Sequence, residues 1–185
     1  EDAINVIQAG ADKILLNTHQ YINKRLISEL AHRLGSQAVV VGIDARRVDE
    51  TTHLTYSHCG TKEQEVSPTE AAKIAESEGA GEIVITSIDR DGTLEGYDLE
   101  LISKVTETVR LPVIASGGAK DSNCFVDAVR NAGASAVAAG ALFHFTELTP
   151  DDARTAMRDA GIPVRQVLLI FLSCTTSLHY QDQTR

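Results

Sequence analysis

Several places in this sequence set polar or glycine residues directly after short apolar runs. Asp44 follows the run Ala38-Val39-Val40-Val41-Gly42-Ile43. A carboxylate at the end of a buried strand can face a pocket and act as a general acid or base. Thr86-Ser87-Ile88-Asp89-Arg90-Asp91-Gly92-Thr93 gathers two carboxylates, an arginine and three hydroxyls around one glycine. Asp91-Gly92 alone would signal only a turn; the cluster at a strand end favours a functional reading. Ser116-Gly117-Gly118 lets the backbone approach an anion closely, because glycine has no Cβ. Gly140-Ala141 offers the same after a later strand, and Asn17-Thr18 follows Ile14-Leu15-Leu16. No His/Cys cluster has metal-ligand spacing, so neither a metal nor another cofactor is expected, and His144 in Phe143-His144-Phe145 reads as structural.

The elements that must hold these residues alternate regularly. Glu1–Ala9 reads as helix. Strand Ile14–Leu16 precedes a helix from Ile22 to Leu34 with Leu26, Ile27 and Leu30 on one face, and Gly35 stands at its C-cap. The run Ala38–Ile43 is apolar on both faces, as in a parallel strand covered on both sides. Thr51–Tyr56 is expected to form a small excursion hairpin. Helix Pro68–Glu78 follows, with Ser67 as N-cap and Glu70 at the capping-box position. Then come strand Glu82–Thr86, helix Leu99–Val109, strand Pro112–Ala115, helix Cys124–Asn131, strand Ala136–Ala139 and helix Pro150–Ala160 behind Thr149.

Repeated βα units require a parallel sheet, either doubly wound or closed into a barrel. A doubly wound nucleotide-binding domain would carry a glycine fingerprint after its first strand, and none is present. Glycines instead follow the late strands, where (β/α)8 barrels hold phosphate. Ala9-Gly10-Ala11-Asp12-Lys13-Ile14 recurs as Ala132-Gly133-Ala134-Ser135-Ala136-Val137. That spacing fits a barrel of two related halves with these as its fourth and eighth strands, so that three strands would precede the present sequence. Alternatively, AGA is simply a common helix-to-strand turn. With anion sites on opposite sides of such a barrel, the substrate would be long and phosphorylated at both ends.

The bulk properties agree. The 185 residues suffice for one domain, with 43% hydrophobic and 23% charged residues. A net charge of -9 argues against a nucleic-acid or anionic-membrane partner. Cys59, Cys124 and Cys174 are odd in number and fit neither a zinc nor a disulfide pattern; unreactive thiols in a reducing cytoplasm are expected. No signal-peptide pattern is visible, and the apolar run Val167–Leu172 is far below the ~20 residues of a membrane span.

GADK (10–13), NT (17–18), GSQAVVVGIDARRV (35–48), GAGEIVITSIDRDGT (79–93), GYDLELI (96–102), PVIASGGA (112–119), FHF (143–145) and AGIPVR (160–165) closely resemble the cyclase subunit of imidazole glycerol phosphate synthase. The resemblance covers residues 1–165 and implies a phosphate-binding (β/α)8 barrel built of two halves, with 1–165 as strands four to eight and 166–185 as an atypical tail. It implies a lyase of histidine biosynthesis. Ammonia from a glutaminase partner would convert a phosphoribulosyl-formimino-aminoimidazole carboxamide ribonucleotide to imidazole glycerol phosphate and the aminoimidazole carboxamide ribonucleotide. By position, Asp44 resembles one of two essential aspartates; the other belongs to the family's first strand. Asn17 and Thr18 match one phosphate site, and Asp91, Gly92, Gly118, Gly140 and Ala141 the other. Thr86 and Ser116 match polar groups lining the pocket, and Lys13 and Glu82 match part of the charged ring where ammonia enters. Ala141 replaces a usual serine, Lys120 a usual glycine, and His19-Gln20-Tyr21 usual small residues. These departures leave room for a paralogous ammonia-channelling barrel of surface-glycan biosynthesis, or for a non-catalytic fragment that binds a partner. DRDGT and FHF favour the histidine enzyme, and residues 1–185 alone are expected to be inactive.

Overall fold

The computed structural model describes residues 1–165. The apolar run 167–172 and the rest of the predicted tail lie outside the described residues.

Five parallel strands form the frame: β1 (Ile14–Leu16), β2 (Val39–Arg47), β5 (Glu82–Ser87), β6 (Val113–Ser116) and β7 (Ala136–Val137). They lie in sequential order, each hydrogen-bonded to the next, with no reversal point. Strand β2 shares one edge between two partners. Its first half pairs with β1, and its last four residues pair antiparallel with β3 (His53–Ser57), which in turn pairs with β4 (Lys62–Glu63). An antiparallel excursion is therefore present, but it runs from β2 through β4, and Thr51–Tyr56, expected to be the whole hairpin, supplies a bend and most of one strand, β3. It also lengthens β2, which continues to Arg47 instead of ending at Ile43, because antiparallel pairing satisfies the extra backbone groups.

Alternation along the strands separates two faces. Val39, Val41, Ile43, Ala45, Ile83, Ile85, Val113 and Ala115 are at most 1% exposed and pack beneath the helices. The opposite parity, Leu15, Gly42, Asp44, Val84, Thr86, Ile114 and Ser116, lines the concave inner face. Leu15 there is 57% exposed. The core of the described residues thus lies between sheet and helices. This is an α/β fold of (β/α)8-barrel type, seen as a partial barrel.

Local rules position the helices. In α4 (Pro68–Ser77) Ser67 and Glu70 form a reciprocal capping box with Pro68 in the first turn. Thr149 and Asp152 do the same for α8 (Pro150–Asp159). Aspartates cap two of the helices between these: Asp98 accepts from Leu101 N at the start of α5 (Leu99–Thr106), and Asp121 from Cys124 N at the start of α6 (Ser122–Arg130). Helix α1 (Asp2–Gln8) falls where Glu1–Ala9 was read as helical.

The sequence reading errs at three elements. The helix expected from Ile22 to Leu34 is two helices, α2 (Thr18–Ile22) and α3 (Leu26–Leu34). Asn23 between them is extended, and its side-chain oxygen accepts from Arg25 N at 3.1 Å. A short amide that bonds its own backbone competes with helix continuation. Strand β7 stops at Val137 instead of Ala139, and no strand pairs with its far side among the described residues. Helix α7 (Ala141–Phe145) was not anticipated, because five residues carry too little periodicity to be read.

Candidate active site

The register sets three polar side chains in a row. Asp44 of β2 pairs with Thr86 of β5, and Thr86 pairs with Ser116 of β6. All three have the inner-face parity and all are partly buried. They sit near the C-terminal ends of their strands, the face at which barrel enzymes act. Asp44 is half-buried, and that burial pushes its carboxyl up. The Asn17 amide beside it lowers it, and the Asp91 carboxylate raises it again. The influence of both neighbours places two of the predicted residues, Asn17 and Asp91, near the Asp44 carboxylate.

On one flank of this row lies a cavity of about 320 Å3. Asp91, Gly92, Ser116, Gly118, Gly140 and Ala141, all singled out in the sequence, line it together. Four glycines and four alanines are among the twelve residues that line it, so little side chain stands in the wall. Gly117 and Gly118 have φ of +87° and +101°, which side chains rarely adopt. A Cβ on Gly118 would lie 2.5 Å from Gly96 O, and one on Gly117 2.5 Å from Ser87 O. The close approach is cemented by Gly96 N, which donates to Gly118 O at 2.6 Å. Gly140 is different: it lines the cavity and nothing lies within 4 Å of its notional Cβ, so a side chain there meets open space.

Asp89 and Arg90 of the cluster read in the sequence, and Tyr97, which was not singled out there, brace this wall. Arg90 is the DRDGT arginine, yet its guanidinium donates to Gly96 O at 3.1 Å and Tyr97 O at 2.9 Å, tying the loop to itself. Tyr97 OH donates to Ala138 O at 2.9 Å, linking the loop after β5 to the end of β7. Asp89 accepts from Arg47 N at 2.7 Å and pairs with Arg46 at 3.3 Å, fixing the same loop against β2. A tyrosine next to a glycine in a strand-end loop was the available signal for Tyr97; the partners of Arg90 and Asp89 had none. Lys120, flagged as a departure, lies along Gly96 and is not among the residues lining the cavity.

The opposite flank is built from side chains. Asn17 follows β1 and packs against Gly42, its Nδ2 3.4 Å from a notional Cβ there. Its Oδ1 is buried without a partner. Thr18 Oγ1 accepts from His58 N at 2.9 Å. His58 and Cys59 form the tip of the β3–β4 hairpin, both with positive φ. The hairpin therefore folds back onto the Asn17–Thr18 corner. Asn17 and Thr18 do not line the cavity of the other flank.

At the far end of the strands, Lys13 and Glu82 form an ion pair between the start of β1 and the start of β5, bridging over β2. The structure thus brings these two together at the face opposite Asp44. Among the described residues no group of His, Cys, Asp and Glu could hold a metal ion, and no helix is long and apolar enough to cross a membrane.

Residues 1–149 match the family model described as "Histidine biosynthesis protein". The chain is 45% identical over 167 residues to imidazole glycerol phosphate synthase subunit HisF of Hyphomonas neptunium, covering 90% of the chain and 66% of that relative. It is 44% identical over 172 residues to the subunit of the same name in Corynebacterium glutamicum strain R, again covering 90% and 66%. The chain therefore spans 66% of the length of these relatives. With a family model over most of its length and a sheet that sets the matching residues around one rim, this chain belongs to the histidine biosynthesis protein family.

Proposed function

We propose that these residues are strands four to eight of a cyclase barrel of the imidazole glycerol phosphate synthase type. The substrate would be a bisphosphorylated phosphoribulosyl-formimino-aminoimidazole carboxamide ribonucleotide. The observation that carries the reading is the registered row Asp44–Thr86–Ser116, with an open backbone cavity on one flank and the Asn17–Thr18 corner on the other. A substrate with a phosphate at each end spans such a row and presents its middle to Asp44. The cavity's glycines take one phosphate through backbone N–H groups, and the reacting carbons lie over the carboxylate. Asp44, with its proton affinity raised by burial, exchanges a proton with the substrate as ammonia adds and the ring closes. Thr86 and Ser116 orient the polar groups between the phosphates.

Ammonia would come from a glutaminase partner seated at the opposite face, where the Lys13–Glu82 pair spans the strand starts. The reaction would take place in the cytoplasm. The resemblance implies a second essential aspartate on the family's first strand, so the reading requires the N-terminal βα units for turnover.

The test mixes the chain with a polypeptide carrying the N-terminal βα units of the Hyphomonas relative, and measures turnover with an ammonium salt. Turnover is expected only in the mixture. Asp44→Asn should lower it by at least about 100-fold, since the amide keeps the shape but cannot accept a proton. Turnover of the Asp44→Asn mixture within a few-fold of the unsubstituted one would remove Asp44 from the acid–base role.

A further inference from the structure

The tip of the β3–β4 hairpin, Ser57-His58-Cys59-Gly60, stands at the rim of the Asp44 row. On one side His58 N donates to Thr18 Oγ1 at 2.9 Å. On the other, a Cβ on Gly60 would lie 3.1 Å from Ile88 Cδ1 and 3.9 Å from Arg46 Nη2. Tyr56, the register partner of Asp44, immediately precedes the tip. The tip thus reaches from the corner after β1 to the loop after β5.

This turn is held against its backbone preference. His58 and Cys59 have φ of +53° and +57°, consecutive positions in the left-handed region. Non-glycine residues enter that region at a cost of about 1–3 kcal/mol each. Thr61 N donates to Ser57 O at 3.1 Å, and Thr61 Oγ1 to His58 O at 2.7 Å, and these bonds maintain the turn.

A relay orients the His58 ring. Gln64 Nε2 donates to Ser57 Oγ at 2.9 Å, and Ser57 Oγ lies 2.8 Å from His58 Nδ1. Ser57 is fully buried, and among the described residues Nδ1 is the acceptor bonded to its hydroxyl. The network therefore assigns Nδ1 as acceptor and places the proton of the neutral ring on Nε2. His58 is exposed, and its Nε2 bonds to none of the described residues. Thr18 is set in a similar way. Its hydroxyl oxygen accepts from His58 N, which leaves its proton to donate. Two donors, Thr18 O–H and His58 Nε2–H, thus belong to one corner, and neither is spent within the described residues. Such donors suit the oxygens of an anion.

We propose that His58 contacts substrate, donating from Nε2 to the phosphate held at the Asn17–Thr18 corner, with the ring oriented by Ser57 and Gln64. The inference rests on the cyclase reading for the presence of a phosphate at that corner, and on neither turnover nor Asp44.

NMR of the isotope-labelled protein during titration with inorganic phosphate tests it, with the amides of Thr18 and Gly118 reporting the two flanks separately. Phosphate is expected to shift the His58 Nε2 resonance in step with the Thr18 amide. His58→Asn suits the left-handed backbone, and its short side chain places no donor where Nε2 stands. It should weaken binding read at Thr18 by at least about tenfold and leave binding read at Gly118 unchanged. Ser57→Ala should mix the two ring tautomers, seen in the ring nitrogens, and weaken the Thr18 site by less. A saturating shift at Thr18 with Nε2 unmoved, and with equal affinity in His58→Asn, would overturn the assignment while leaving the phosphate corner in place. No response at Thr18 would remove the corner itself, and the role of His58 with it.

Discussion

The two flanks of the Asp44 row are built by opposite means. The flank beyond β6 is made of backbone: glycines at φ values closed to other residues, braced by Arg90 and Tyr97 from behind, with an open cavity in front. The flank beside β1 is made of side chains, and one of them, Thr18, is already engaged by the hairpin tip at His58 N. A backbone-built wall tolerates changes in side-chain chemistry. It does not tolerate a Cβ where two chains touch. A side-chain-built corner tolerates bulk more readily, and its cost is the exchange of one hydrogen bond for another.

The largest effect is expected from the glycines, and two of them separate fold from function. In Gly118→Val the new Cβ would meet Gly96 O at 2.5 Å and Arg90 Cβ at 2.8 Å, at a φ of +101°. Loss of phosphate affinity should come together with a destabilisation of several kcal/mol, since strain of about 1–3 kcal/mol adds to a backbone clash. Gly140→Val, on the cavity's lining, projects into open space instead, at a φ of -117°. Its stability should stay within about 0.5 kcal/mol of the parent, whereas affinity for inorganic phosphate falls at least about tenfold. Denaturant melts and phosphate titration of both variants decide the matter. Equal destabilisation of the two would show that the wall is not divided into a braced and an open part.

A smaller effect belongs to the side-chain flank. Thr18→Val keeps the shape and removes the acceptor of His58 N, at a cost of about 1 kcal/mol in the hairpin's local stability. Hydrogen exchange at the His58 amide should speed up without a change at β5 or β6. A change shared by the central strands would mean that the hairpin and the sheet open as one unit.

The smallest effect lies between the flanks. The Asp44 carboxyl is raised in the folded state relative to an ordinary aspartate near 3.9. In the window between those two values the folded state binds the extra proton. Stability contributed by the protonated carboxyl is therefore present at low pH and is lost as pH rises through the folded-state value. An amide at this position carries no charge at any pH, so Asp44→Asn should be more stable than the parent above that window. The difference should shrink to its pH-independent remainder at about pH 3. Urea midpoints measured across that range test the sign. A variant that is less stable at neutral pH than at acid pH, relative to the parent, would mean that Asp44 is held charged by partners and is not suppressed by burial.

Much of this was legible in the residues. The order of βα units, the capping box at Ser67, the cap at Thr149 and the places of Asp44, Asp91 and Gly118 after their strands follow from local pattern, because alternation, caps and glycine conformations act over a few residues. The break at Asn23 and the short α7 were not legible, since each depends on one side chain or on five residues without a period. Which residues stand side by side required the sheet. The register that sets Asp44 beside Thr86 and Thr86 beside Ser116, the Lys13–Glu82 pair across β2, and the tie from Tyr97 to Ala138 all join positions dozens of residues apart. The chain by itself determined its elements, its glycine loops and the acids at its strand ends, through forces that decay within a turn or a strand. Only the tertiary structure decided which of them share a wall, because a one-residue slip in register would turn every inner-face side chain outward.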